Sequence, residues 1–299
     1  GYFTIIGTVL ANSVAKWDGS EWAALGSGIG GAVYALAVSG SDLYVGGIFS
    51  SAGGVAARYI AKWDGRAWSP LGSGMNNNVY ALAVSGNDLY AGGLFSNAGG
   101  EWVYHIAKWN GSAWSPLGTG MDRFGYVYAL AVSGTNLYAG GGFTTAGEVE
   151  GTSGVAKWDG NAWSALGSGI NGTVVALAAS GTNLYAGGAF TTAGGVAGVI
   201  GLARWDGRAW SALGTDMQGV WALAVEGNDL YAVGYFTTAG GGTANRVAKW
   251  DGSGWSAVGL GMDRPVYALA VSGSELYAGG EFRTAGGVTV EHITKWSGH

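Results

Sequence analysis

The fold is decided by one phrase: Val79-Tyr80-Ala81-Leu82-Ala83-Val84-Ser85-Gly86, then Leu89-Tyr90-Ala91-Gly92-Gly93, Ile106-Ala107-Lys108-Trp109, and Ala113-Trp114-Ser115-Pro116-Leu117-Gly118. Val79 to Val84 alternates large and small residues, the period of a strand with one crowded face. Ser85-Gly86-Asn87-Asp88 is turn chemistry, so Leu89 to Gly93 reads as a returning hairpin partner. After a glycine-rich loop come Ile106 to Trp109, a tight Asn110-Gly111 turn, and a strand around Trp114. Asn-Gly and Asp-Gly dipeptides supply the positive φ that short hairpins need. These four strands are labelled A (Val79), B (Leu89), C (Ile106) and D (Trp114).

The phrase recurs along the whole chain. The Lys/Arg-Trp pairs place Trp17, Trp63, Trp109, Trp158, Trp205, Trp250 and Trp296 at spacings of 46, 46, 49, 47, 45 and 46 residues. A period of this size with four strands per unit predicts a propeller blade. Strand A occurs six times, starting at Val33, Val79, Val127, Val174, Val220 and Val266, so the expectation is an all-β, six-bladed β-propeller with four antiparallel strands per blade. The predicted organisation is a single domain over 1–299: closing strands 1–26, then repeats 27–72, 73–118, 119–167, 168–214, 215–259 and 260–299. Strand C alone occurs seven times, so Val14–Trp17 and Ile293–Trp296 compete for one slot. The reading favours the N-terminal copy, whose C–D turn Asp18-Gly19 is covalently intact; N-terminal strands would then complete the C-terminal blade.

Composition agrees. Of 299 residues, 60 are Gly, 3 are Pro and 48% are hydrophobic, a content that excludes collagen and argues against disorder. Fourteen Lys and Arg against 19 Asp and Glu give a net charge of −5 with no basic cluster, so neither nucleic acid nor membrane insertion is expected. The absence of cysteine excludes disulfides, thiolate metal sites and a cysteine nucleophile.

The repeats resemble those of the kelch type, which carry a hydrophobic strand, a Gly-Gly doublet, and aromatic residues on the two outer strands. The doublets here are Gly46-Gly47, Gly92-Gly93, Gly140-Gly141, Gly187-Gly188 and Gly279-Gly280, with Val233-Gly234 in the fifth unit. The outer Trp is Trp22, Trp68, Trp114, Trp163, Trp210 or Trp255. The kelch tyrosine is replaced by Trp and the C–D turn is shorter, so the chain reads as kelch-like rather than kelch proper. A copper–radical oxidase of the kelch-propeller kind needs a cysteine cross-linked to tyrosine, which this chain lacks.

Shared positions are explained by packing, so function is sought where the copies differ: the B–C and D–A loops, which emerge on one face. The D–A loops hold the paired copies Asp122-Arg123 and Asp263-Arg264; the B–C loop of the second repeat holds Trp102, Tyr104 and His105. Beyond the doublets, Tyr235 and Glu281 are expected near the channel. Each has a bland reading beside the functional one, solvated loop charge for the Asp-Arg pairs and packing for the aromatics; Trp102, outside the repeat pattern, is the best stacking candidate. The three histidines, His105, His292 and His299, form no metal motif, and neither a nucleophile elbow nor a phosphate loop occurs. A glycosidase pair of Asp122 and Asp263 stays open, though nothing selects it. The expectation is a non-enzymatic, cofactor-free, monomeric module binding carbohydrate or a protein, with an extracellular or cell-surface setting favoured. The alternative is an interaction scaffold without a small ligand; the likeness of the copies fits duplication and design equally.

Overall fold

The computed structural model describes residues 1–214 and 216–297, so His299 lies outside the described residues. Every regular element among them is a β-strand, and the chain is a six-bladed β-propeller of antiparallel blades, four-stranded in blades one to five and three-stranded in blade six. Blade two shows the plan: A Val79–Ser85, B Asp88–Gly93, C Ile106–Trp109 and D Trp114–Pro116, paired in that order. The A strands of successive blades lie side by side and form the inner wall. On the outside, Trp109 of C faces Trp114 of D across the ladder with ring centroids 5.4 Å apart. The turn joining them is held by Asn110, whose Oδ1 accepts from the backbone N–H of Ser112 and Ala113, both at 2.9 Å. In other blades Asp64, Asp159, Asp206 and Asp251 do the same with a carboxylate.

Blades are stapled by the outer Trp. The Trp114 indole N–H donates to the Leu71 carbonyl one repeat back at 3.0 Å, and Trp68, Trp163 and Trp210 donate likewise to Leu25, Leu117 and Leu166 at 2.8–2.9 Å. Trp114 is buried and Trp109 only half-buried, so the D-strand Trp carries more of the packing than the C-strand Trp.

In blades one to four both glycines of the doublet answer a lack of space. A Cβ on Gly92 would stand 2.5 Å from Cγ1 of Val127, because the next blade pushes its first A residue onto this point. One on Gly93 would stand 2.1 Å from the Asn78 carbonyl oxygen. The second approach comes from a bulge: Val79 pairs with Gly93 and Ala81 with Gly92, leaving Tyr80 as the extra residue. All six A strands share this register shift, between Val33/Ala35, Val79/Ala81, Val127/Ala129, Val174/Ala176, Val220/Ala222 and Val266/Ala268.

The expected closure is corrected. Ile293–Ser297 takes the C position of blade six, with Trp296 opposite Leu276, so the C-terminal copy occupies the slot. Ala15–Trp17 and Trp22–Ala24 form a separate two-stranded sheet, and these N-terminal strands do not complete the C-terminal blade. Two causes are visible. Ile293 arrives through the same local loop as every other C strand, and the Gly280 N–H donates to His292 O at 2.9 Å. The N-terminal hairpin is already engaged by blade one, whose core includes Val14 and Leu25. Blade one is open on the side away from blade two, because strand A of blade six does not pack beside it as the other successive A strands do: Leu36 and Val38 are 55% and 66% exposed, whereas their counterparts Leu82 and Val84 are half-buried with Ala37 and Tyr44 of the preceding blade.

Two outcomes follow from this packing. Trp114→Ala should cost ~3–5 kcal/mol of stability by denaturant unfolding, while Trp114→Phe, which keeps a ring and loses the bond to Leu71, should cost about 1–2 kcal/mol. The N–H of Ser253, then that of Gly254, and the Ser253 hydroxyl hold the Asp251 carboxyl at about 2, below its ordinary 3.8. Its folded-state pKa is depressed, so its stabilisation is present above roughly pH 4 and is lost as pH falls through about 2. Asp251→Asn, which copies the Asn110 turn, should flatten part of the acid decline in melting temperature between those limits.

Candidate functional site

The B–C loop of one blade meets the D–A loop leading to the next: Met121 N–H donates to Tyr104 O at 3.0 Å. Beside that contact lies a cleft of about 640 Å³ between Leu94, Trp102, Tyr104, His105, Arg123 and Phe124. One boundary earlier a cleft of about 520 Å³ is lined by Ile48, Ser50, Arg58 and Tyr59, the repeat equivalents of Leu94, Ser96, Tyr104 and His105. The same backbone therefore builds the same hollow at both boundaries, and only the side chains differ.

The structure gathers four of the sequence candidates there. Trp102 sits on a small hairpin, Asn97–Ala98 with Glu101–Trp102, and is 72% exposed. Tyr104 is partly exposed, and its ring centroid lies 6.4 Å from that of His105. His105 is buried, with φ of +68°. That left-handed slot recurs as Tyr59, Arg246 and His292, and as glycine at Gly154 and Gly201, because the loop must turn sharply into strand C. The His105 ring is aimed at the cleft wall: Nε2 stands 3.3 Å from Arg123 O, and Nδ1 makes no hydrogen bond of ordinary geometry. Burial pushes the imidazole below its usual range, opposed by the Arg123 carbonyl, Asp122 and the Leu94 carbonyl, so the ring is held neutral. Arg123 is exposed, with its guanidinium 5.7 Å from the centroid of the Phe124 ring.

Asp122 and Asp263 do something else. Asp122 Oδ2 accepts from the Thr144 and Thr145 N–H groups at 2.5 and 3.2 Å and from the Thr144 hydroxyl at 3.1 Å, while Oδ1 accepts from Phe124 N–H at 3.2 Å. Asp263 Oδ1 accepts from Arg283 and Thr284, both at 2.9 Å. Asn76 and Asn171 clamp Ser96–Asn97 and Thr191–Thr192 in the same way. Burial raises the Asp122 pKa, but the donors from Thr144, Thr145 and Phe124 outweigh it and the net shift is downward. Each carboxylate is thus committed to the loops of its own blade, and the exposed Arg264 stands at a different boundary from Arg123. Among the described residues no group of three or more His, Asp and Glu could hold a metal ion.

Tyr235 is 66% exposed, and its N–H donates to Gly219 O at 2.9 Å. Glu281 hydrogen-bonds through its carboxylate to the Tyr267 phenol. Both therefore lie beside a feature that sequence reading missed. The extra residues of the six bulges are Tyr34, Tyr80, Tyr128, Val175, Trp221 and Tyr267, so five of the six are aromatic. Their rings meet across blade boundaries: Tyr34–Tyr80 at 5.8 Å, Tyr80–Tyr128 at 5.1 Å and Trp221–Tyr267 at 5.7 Å, with Tyr126 4.8 Å from Tyr128. They form an aromatic collar on the inner wall at the loop-face end. The available signal was a large residue in phase with Leu82 and Val84 that recurred as Tyr or Trp where those positions stayed aliphatic.

The architecture defines a six-bladed propeller whose individual features are gathered on its loop face. Two solved structures are similar in fold. The computationally designed protein Ika8 shares 19% identity at a TM-score of 0.50, over 89% of this chain and 83% of that one. YCF48, solved with a D1 peptide, shares 12% identity at a TM-score of 0.50, over 84% and 77%. No family model matches the chain, and no curated protein matches it.

The clamp yields a discriminating expectation. Asp122→Ala should lower stability by about 1–3 kcal/mol through unpaired amides. Asp122→Asn, the residue that Asn76 and Asn171 supply in other repeats, should restore most of it in thermal unfolding. A loss of equal size in both variants would show that charge, not geometry, matters at this position.

Proposed function

We propose that the chain is a non-enzymatic binding module that takes carbohydrate at the loop face, with the cleft between blades two and three as its principal site. The observation behind this reading is the cleft itself: a hollow of about 640 Å³ flanked by the exposed Trp102, Tyr104 and Arg123 above the neutral, buried His105. Aromatic rings offer flat apolar faces to sugar C–H surfaces, and Tyr hydroxyls, imidazole nitrogen and guanidinium supply directional polar partners. Equivalent hollows at successive boundaries suit a repeated ligand, and linked weak sites raise avidity. The kelch-like doublet and outer Trp support a propeller group built on the same plan. A non-enzymatic role is supported by the use of Asp122 and Asp263 as backbone clamps at opposite blades.

A second reading, a face that docks one protein partner, is favoured by Phe124, which is 85% exposed beside the cleft. A glycan array with the intact chain separates the two. The expected result is saturable binding to one sugar class, unchanged by chelator because Asp122 accepts through both oxygens and Asp263 through Oδ1. Trp102→Ala should reduce that binding roughly tenfold, the effect of losing about one aromatic stacking contact, with an unchanged melting temperature. Absence of binding to every glycan, with a protein captured through Phe124, would establish the docking face instead.

A further inference from the structure

The collar is not required by the fold. Blade four carries the same bulge with Val175 as its extra residue, so the propeller accepts an aliphatic side chain there. Yet five blades hold an aromatic, and Tyr34, Trp221 and Tyr267 remain 53%, 48% and 43% exposed, with Tyr80 and Tyr128 half-buried. Large apolar surface left open at a repeated position marks a contact surface.

The geometry narrows what could lie on it. Tyr34, Tyr80, Tyr128 and Tyr126 touch one another at interplanar angles of 46–57°, so they form a continuous, faceted face. An aromatic cage for a cation needs rings set apart around a gap, and these close the gap themselves. The steps of 5.8 and 5.1 Å between rings match the length of one pyranose unit in an extended chain. Side chains on one face of an extended peptide recur at about 6.6–6.8 Å, a poorer fit. Polar partners are present at the rim, where Asn78 Nδ2 donates to the Tyr80 hydroxyl at 3.0 Å and directs that hydroxyl's own hydrogen away from it.

We propose that the aromatic collar is a stacking site for a linear, neutral glycan, whose successive pyranose rings lie on Tyr34, Tyr80 and Tyr128. This rests on the carbohydrate reading above and adds to it a second contact surface, a preference for chains over single sugars, and a lack of dependence on charge. Val175 interrupts the collar between this arc and the pair Trp221–Tyr267.

The test is calorimetric titration of the full chain with linear gluco-oligosaccharides of increasing length, in α- and β-linked series. Affinity should rise with each added unit until the three-ring arc is filled. Tyr80→Val, which installs the residue blade four already tolerates, should weaken binding of the longer chains roughly tenfold, as expected for the loss of about one stacking contact, without changing the melting temperature. Val175→Tyr should strengthen binding of longer chains by bridging the two arcs, and it provides an independent reading should Tyr80→Val disturb folding. Binding that is lost in Trp102→Ala but is indifferent to chain length and to both collar variants would overturn the collar and leave the cleft standing. Failure of every oligosaccharide to bind the wild-type chain would overturn the carbohydrate reading and the collar proposal with it.

Discussion

Everything in this propeller depends on how closely one blade can approach the next. Two contacts set that distance, one at each end of the blade's radius. At the perimeter, the indole N–H of an outer Trp such as Trp114 reaches the carbonyl of Leu71 in the blade before it. Near the axis, Val127 presses onto Gly92 at a point where no side chain fits. A buried indole needs a partner for its N–H, so the hydrogen bond fixes orientation while the ring supplies apolar area. Blade five shows what the second contact tolerates: Val233 replaces the first glycine there, and it shares one core with Val266 of blade six.

The repeat was legible because these contacts demand the same residue types at every boundary. Trp, the glycine doublet and the Asp-Gly turn have few substitutes, so their period survives in the text. Ring closure was not legible. Val14–Trp17 and Ile293–Trp296 carry nearly the same pattern, and pattern alone cannot rank them. What decides is proximity: Ile293 follows strand B of its own blade by one short loop, whereas Ala15 would have to cross to the far end of the chain. The intact turn at Asp18-Gly19 favoured the N-terminal hairpin on paper. In the structure that turn keeps the hairpin together as a separate sheet held by blade one, through Val14, Leu25 and the bond from Trp68.

The candidate site divides along a similar line. Trp102 stands out in sequence because the matching hairpins carry Ala56, Ala197, Thr243 and Thr289 at its place, and it is exposed. Asp122 and Asp263 also stood out, as charges among neutral neighbours, but their variation is shallow. Asn76 and Asn171 perform the same clamp with an amide, so the alternation of Asp and Asn marks a geometric requirement met by either group. His105 belongs to both kinds. Its backbone occupies a left-handed position that the fold imposes on every repeat, and its ring is free to differ.

The collar shows how an architectural constraint can generate a surface. The second glycine of each doublet exists because the bulge brings a carbonyl against it, as Asn78 O approaches Gly93. That bulge inserts one residue into strand A without a partner on strand B, and the inserted side chain escapes the alternation that buries its neighbours. Period-2 reading therefore assigns Tyr80 to the crowded face of the strand, whereas the bulge delivers it to the inner rim beside Tyr34 and Tyr128. Six such insertions at one register produce a row of positions along the inner wall from blade one to blade six. Because Val175 satisfies the frame as well as tyrosine does, the identity of these residues is decoupled from stability, and the rim can change its chemistry while the blades beneath it stay the same.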